Sequence, residues 1–288
     1  MKYLYKGTAL YKHLNFVLMK KILVLINDYK VPATALNFAV KLAVQNEATL
    51  FGIFAQSLKY SDDSYLFPSD INLTDKDFTT ATDEDEHLQF LNTSMKLFAD
   101  TCEEANVSFK THTVSTNHLD TLIDYSAFAD LIVCDADTPP MHYSMNTFLA
   151  DTHCPVLMIN KDYMNTDTLV FAYDDKLSSI YAIRLFTYLF GFYKNLPVHF
   201  VSVLPTNVLG LEYDDLIREW LPLHYPNAKI EIIKGETKNE LTNYINRLSN
   251  PLIVMGAFGR SSLSRFFKES LANYIITQTN APIFIAHN

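Results

Sequence analysis

The sequence predicts an α/β protein made of two similar units, each a five-stranded, mainly parallel sheet flanked by helices. Three observations predict it. Short unbroken apolar runs such as Ile22-Leu23-Val24-Leu25-Ile26 alternate with stretches of helical apolar spacing, the pattern of buried parallel strands joined by right-handed crossover helices. The same order of elements occurs twice along the 288 residues. Matching markers close each round: Leu131-Ile132-Val133 is echoed by Leu252-Ile253-Val254, and Pro155-Val156-Leu157-Met158-Ile159 by Pro282-Ile283-Phe284-Ile285-Ala286.

The first unit opens with the strand at 22–26. Ala33, Leu36, Val40 and Ala43 then fall on one helical face. A strand at 49–54 is followed by a polar stretch at 61–86 holding nine acidic residues against Lys76 alone, close to the whole net charge of −9. It reads as a solvated excursion whose Asp83–Glu86 end favours a helix N-terminus; the order needed for a calcium loop is absent, and a docking surface for a basic partner is the other reading. A long helix from about Asp83 carries Leu88, Leu91, Met95, Phe98, Cys102 and Ala105 on one face. A strand at 107–114, a helix at 118–128, a strand at 131–134, a helix near 143–152 and a strand at 155–159 complete the unit. The second unit runs strand 169–173, helix 178–193 (Ile180, Ile183, Phe186), strand 197–204, helix 212–221, strand 228–233, helix 237–249, strand 252–255, a loop with a helix near 268–279, and strand 282–286. The expected domains are 19–160 and 167–288, with 160–167 as linker. Met19-Lys20-Lys21 before the first strand reads as a protein start, which puts residues 1–18 outside the fold.

Composition narrows the function. There are seven glycines where an average chain of this length has about 20. Only Gly256 and Gly259 lie close together, so neither a Walker loop nor a GxGxxG fingerprint is present. Net charge of −9 disfavours a nucleic-acid surface, and no apolar run approaches the roughly 18 residues that span a bilayer. Cys102, Cys134 and Cys154 have no metal-type spacing and leave an odd one out, which suits buried thiols in a reducing cytosol. The histidines are scattered, with no HExxH, and no CxxC or GxSxG occurs. Trp220, beside Leu216 and Ile217, reads as core or interface.

Ligands of open parallel sheets bind beyond the carboxyl ends of the strands, where strand order reverses. In the second unit, strand 169–173 ends at Asp174-Asp175, and strand 252–255 ends at Gly256-Ala257-Phe258-Gly259-Arg260-Ser261-Ser262. Glycine lets a backbone approach an anion, a helix N-terminus near Ser270 adds donors, and Arg260, Arg265 and Lys268 add positive charge. An Asp at the first strand end can accept hydrogen bonds from an adenine or ribose. The plainer reading is a loop that merely turns, with solvated Ser and Arg side chains.

The run from Gly256 to Asn273, through Pro282-Ile283-Phe284-Ile285, resembles the universal stress protein family, whose nucleotide-binding members carry G-x2-G-x9-G-[ST] before a helix and a final P-[VI]-x-[VI] strand. Val170-Phe171-Ala172-Tyr173-Asp174 resembles the family's first strand. The resemblance spans 19–288 as a tandem pair, more strongly in the second half. It implies two adenine-nucleotide alpha-hydrolase-like domains with strand order 3-2-1-4-5, paired through their last strands. It also implies a ligand, ATP or AMP with or without Mg2+, held at Gly256, Gly259 and Ser270 on the phosphate side, where the charge of Arg260 adds to the expected site, with Asp174 and the wall residue Val203 on the adenosine side. No catalytic residue and no resident metal are implied.

The sequence departs from that pattern in informative places. Nine residues after Gly259 comes Glu269 instead of glycine; a carboxylate 4 Å from a phosphate charge costs about 4 kcal/mol at an effective dielectric near 20. In the first unit Asn27 stands at the Asp position, and Asp135-Ala136-Asp137-Thr138-Pro139-Pro140 replaces the glycine loop. Two carboxylates and two prolines add like charge and remove N–H donors, so that site reads as lost. The positions from Val133 to Pro155 number 22, against 28 from Val254 to Pro282, and the missing six fall at that loop. Two readings of function follow. One is a cytoplasmic stress-response regulator, not an enzyme beyond weak ATP hydrolysis, that binds ATP or AMP weakly in its second unit. The other is a degenerate tandem scaffold that binds no nucleotide and works through an unidentified protein partner. Both allow a homodimer in addition to the pseudo-dimer within the chain, and neither involves nucleic acid or membrane.

Overall fold

The computed structural model describes residues 19–26, 31–56, 81–115, 119–136, 145–256 and 271–286. The first half contains β1 (Lys21–Ile26), α1 (Ala33–Asn46), β2 (Thr49–Gln56), α2 (Ala81–Glu104), β3 (Phe109–Ser115), α3 (Leu119–Ser126), β4 (Leu131–Asp135), α4 (Met145–Asp151) and β5 (Val156–Ile159). The second contains β6 (Thr168–Tyr173), α5 (Leu177–Leu189), β7 (Val198–Leu204), α6 (Asp214–His224), β8 (Lys229–Lys234), α7 (Thr237–Ile245), β9 (Pro251–Gly256), α8 (Leu271–Gln278) and β10 (Ile283–Ala286).

The strands form one ten-stranded sheet in the order β3-β2-β1-β4-β5-β10-β9-β6-β7-β8. Each half keeps the expected 3-2-1-4-5 order, and the two units are paired through their last strands, as the resemblance implied, into one continuous sheet. The fusion is the single antiparallel pairing, with Leu157 opposite Phe284 and Ile283 opposite Met158. Every other pairing in the sheet is parallel. Both ladder edges of β5 and β10 are thereby used within the chain, leaving β3 and β8 as the outer strands.

The apolar runs become central strands because helices cover both faces. On one face α1, α2, α5 and α6 bury Leu36, Phe98, Phe186 and Ile217 against Val24, Phe171, Phe200 and Phe284. On the other, α3, α4, α7 and α8 bury Leu122, Leu149, Leu241 and Ile275 against Leu23, Ile132, Val201 and Ile283. Successive strand residues alternate between these clusters, as period-two geometry requires. The three cysteines are buried within this core.

Most boundaries fall within two residues of the sequence expectation, and three helix C-termini differ by three or four. α5 ends at Leu189 and gives way to a tight 3-10 turn, Gly191–Tyr193, in which the Tyr193 amide reaches the Phe190 carbonyl at 2.9 Å. α6 runs through Pro222 to His224. A proline there forfeits its own N–H bond and crowds the carbonyl four residues back, yet the helix continues for two residues and the Tyr225 amide still closes on the Leu221 carbonyl at 2.8 Å. α7 stops at Ile245, after which Arg247 and Leu248 bond three residues back, tightening the end into turns. Residues 1–18, Asn27 and most of the acidic stretch at 61–86 lie outside the described residues.

Candidate functional site

In the second half the chain leaves β6 for β7 on one side and returns to β9 on the other. That makes the gap between the ends of β6 and β9 the switch point of a doubly wound sheet. A cleft of about 570 Å³ opens there. Its floor is apolar, set by Val201 and Val203 of β7, Met255 of β9, Leu241 of α7 and Ala272 of α8. Its rim is polar, set by Asp174, Lys176, Ser178, Ser179 and Thr237. An apolar body with a few convergent polar groups is the usual make-up of a small-molecule site.

Asp174 follows the last residue of β6, and its carboxylate is engaged on both oxygens. Ser179 Oγ, in the first turn of α5, donates to Oδ1, and Lys176 Nζ lies 3.1 Å from Oδ2. Side-chain exposures of 47 % for Asp174 and 70 % for Lys176 make this a rim ion pair, a solvated contact of small energetic worth. Each carboxylate oxygen has a second acceptor direction, so Asp174 can still take a ligand N–H or O–H.

Asp175 does a different job, one the sequence did not indicate. Its backbone sits in the left-handed region at φ +62, a conformation Asp tolerates better than most residues. There its carboxylate accepts the Glu212 amide at 3.0 and 3.1 Å and the Tyr173 hydroxyl at 3.2 Å. Burial, and then the charge of Asp175, hold the Tyr173 phenol well above its ordinary range, so it remains a donor. Asp175 thus fastens the turn under the cleft to a segment 37 positions away, a distance over which local sequence pattern carries no signal.

Gly256 ends β9 beside the first turn of α5. A Cβ there would meet Ser179 Cα and N at 3.0 Å and Ser178 C at 3.2 Å. Helix backbone therefore occupies the space its side chain would fill. The close approach that the missing Cβ permits is that of α5.

The N-termini of α5, α7 and α8 border the cleft, and the first two differ. At α7, Glu236 accepts from the Asn239 amide at 2.8 Å and the Lys238 amide at 3.2 Å, so the chain caps its own donors. At α5 the N-cap residue Lys176 makes no side-chain cap and no acidic residue lies in the first turn.

The cleft also reaches across the sheet. Leu149 of α4, from the first half, and Ile285 of β10 line it together with the second-half residues. Sequence reasoning missed Leu149, because its place depends on the β5–β10 seam. Of the residues expected at the site, Asp174, Val203 and Gly256 meet on this cleft. Gly259, Arg260 and Ser270 lie outside the described residues, as do Glu269, Arg265 and Lys268. In the first half, Asp135 ends β4 at the position that Gly256 holds in β9, and it is half-buried; Asp137 lies outside the described residues.

Among the described residues no histidine or cysteine lines the cleft, and no cluster of His, Cys, Asp and Glu that could hold a metal occurs. Burial pushes the Cys102 thiol up to about 11 and the Cys154 thiol up to about 12, so neither is a thiolate nucleophile near neutrality. No helix among the described residues is long and apolar enough to cross a membrane.

Residues 219–287 match the profile of the Universal stress protein family. The resemblance read from the motif residues is borne out over that stretch. Among solved structures, a universal stress protein from Archaeoglobus fulgidus DSM 4304 is 13 % identical, over 93 % of this chain and 96 % of that one, with a TM-score of 0.64. A putative universal stress protein from Pseudomonas aeruginosa UCBPP-PA14 is 16 % identical over 93 % of both chains, with a TM-score of 0.60. A functionally unknown protein from Pseudomonas aeruginosa PAO1 is also 16 % identical, over 93 % of this chain and 92 % of that one, at a TM-score of 0.60. These likenesses show the fold. No curated protein matches the chain.

Proposed function

We propose that this chain is a stress-response regulatory protein of the universal stress type whose second-half cleft holds ATP or AMP weakly. The family match over 219–287 supports the stress-response assignment. The nucleotide reading rests on one observation: Asp174 and Val203, chosen from sequence, border the same apolar cleft at the switch point of the sheet. In this reading the adenine lies against Val201 and Val203, and Asp174 accepts from the ribose or base. Phosphates point toward the glycine loop, with Mg2+ offsetting the charge of Glu269. The protein acts in the cytoplasm by binding, not by catalysis: the described cleft holds no nucleophile–base pair of the Ser–His or Cys–His kind. The 19–160 unit has lost its own site and serves as the pseudo-dimer partner of 167–288.

A second reading has its own support. Asp174 is already bridged to Ser179 and Lys176, and the open side of Gly256 is filled by α5. These favour a scaffold that binds no nucleotide and works through a protein partner. Calorimetry with ATP and AMP, with and without magnesium, separates the two. Binding that weakens about tenfold in Asp174→Ala, the loss of one charge-assisted hydrogen bond, supports the nucleotide reading. No heat and no thermal shift at roughly millimolar nucleotide supports the scaffold.

A further inference from the structure

The outer face of α5 and α6 carries an apolar surface that the core does not use. Leu177 is 61 % exposed, Tyr181 38 % and Tyr188 47 % on α5; Leu216 is 61 % and Leu223 76 % exposed on α6. These are five of the twelve large apolar side chains exposed among the described residues, so the exposure is concentrated and not scattered. Their spacing explains the concentration. Residues 177, 181, 184 and 188 form one stripe of α5, and 216, 220 and 223 form one of α6, in each case on a different face from the buried Ile183, Phe186, Ile217 and Leu221. Between the stripes runs a groove of about 300 Å³ floored by Ile180, Phe200, Ile217 and Trp220. Apolar surface gathered this way marks a contact site.

The charges bordering the groove say what covers it. They are one cation, Arg184, and one anion, Glu219, and neither makes an ion pair with another described residue. A net charge of −9 drives copies of this chain apart elsewhere, but these two groove charges cancel. A two-fold interface places residue i of one copy on residue j of the other, and j on i. One cation and one anion flanking a shared apolar groove meet that requirement, with Arg184 of each copy against Glu219 of the other. A strand-to-strand pairing at the molecule's centre is not open to a partner, because β5 and β10 already satisfy each other.

We propose that the α5–α6 face is a homodimer interface, with the Leu216–Leu223 stripe of each copy seated in the groove of its mate and two symmetric Arg184–Glu219 ion pairs at its rim. The proposal is independent of whether the cleft binds nucleotide. Sedimentation velocity on the full chain across about 1–200 µM tests it. The expected species has twice the 32.9 kDa chain mass. Arg184→Glu and Glu219→Arg, made singly, each weaken dimerisation about tenfold, and the double variant returns to within about threefold of the parent. Leu216→Glu with Leu223→Glu remains monomeric; because both sites are exposed, its thermal midpoint stays within a few degrees of the parent, which shows that the fold is intact. A parent protein that is monomeric at the highest concentration overturns the proposal. So does a dimer indifferent to the leucine substitutions, or one in which the double charge swap fails to rescue the single swaps.

Discussion

At the end of β9, a single missing methyl group decides how closely a helix approaches the sheet. Alanine at position 256 would place its Cβ 3.0 Å from the Ser179 backbone, so α5 would have to give by a few tenths of an ångström, and helix backbone gives less readily than a flexible side chain. Gly256→Ala is expected to destabilise the protein by about 1–3 kcal/mol, the usual cost of overpacking, read from urea unfolding without added ligand. A loss of stability there, with no nucleotide present, separates a packing role from a ligand-binding one; unchanged stability would show that α5 can move off β9. The same residue shows where sequence stops being informative. That a glycine was needed could be read from the strand-then-glycine pattern, but what approaches it could not, because Ser179 lies 77 positions earlier in the chain. Asp174 was legible for the same local reason, as a carboxylate following an apolar strand. Asp175 was not, since its partner amide belongs to Glu212.

At the scale of elements, the apolar runs and helical periods placed every strand and helix of the described chain. The ends misplaced by three or four residues, the C-termini of α5, α6 and α7, are where capping turns and Pro222 settle the matter locally. Docking of one helix onto one strand adds a property that no periodicity reveals. His199 of β7 bonds Tyr244 of α7, Nδ1 to the hydroxyl, at 2.6 Å. Burial first, and then the Lys229 ammonium, lower the His199 pKa from its ordinary value, with Glu231 opposing. Tyr244 is itself pushed up, by burial and Glu231, and stays protonated. The folded state therefore prefers the neutral ring. The stability that His199 contributes is present above its unfolded value of about 6.5 and is lost as pH falls through the lower folded value. Thermal melts at stepwise lower pH should show the parent losing more stability below about pH 6.5 than His199→Gln, which keeps a hydrogen-bonding group without the charge. Parallel curves for the two proteins would mean that the ring charges without disturbing the β7–α7 contact.

For the whole molecule, the question is whether two halves sharing one sheet unfold as one. The seam is short, three residue pairs between β5 and β10, yet packing crosses it on both faces. Phe284 is fully buried at its centre, opposite Leu157 of the first half and in one core cluster with it, while its ring lies 5.2 Å from Phe186 and 5.6 Å from Phe190 of its own half. The linker is pinned to the first half where Thr34 Oγ1 donates to the Lys161 carbonyl at 2.8 Å and Tyr163 meets Phe38 edge-on at 5.3 Å. On the opposite face Leu149 reaches from the first half into the second-half cleft. Neither half could leave without exposing the unbroken apolar strands of the other, so unfolding should be one cooperative transition despite the internal likeness of the halves. Phe284→Ala removes the ring at the centre and should cost about 3–5 kcal/mol, moving the entire denaturation curve to lower urea. Fluorescence of Trp220, in the second half, and far-UV circular dichroism, which reports both halves, should move together. A variant that splits the curve into two steps, with Trp220 following only one of them, would show that the halves fold independently. The β5–β10 seam would then be a docking of two domains and not the middle of a single core.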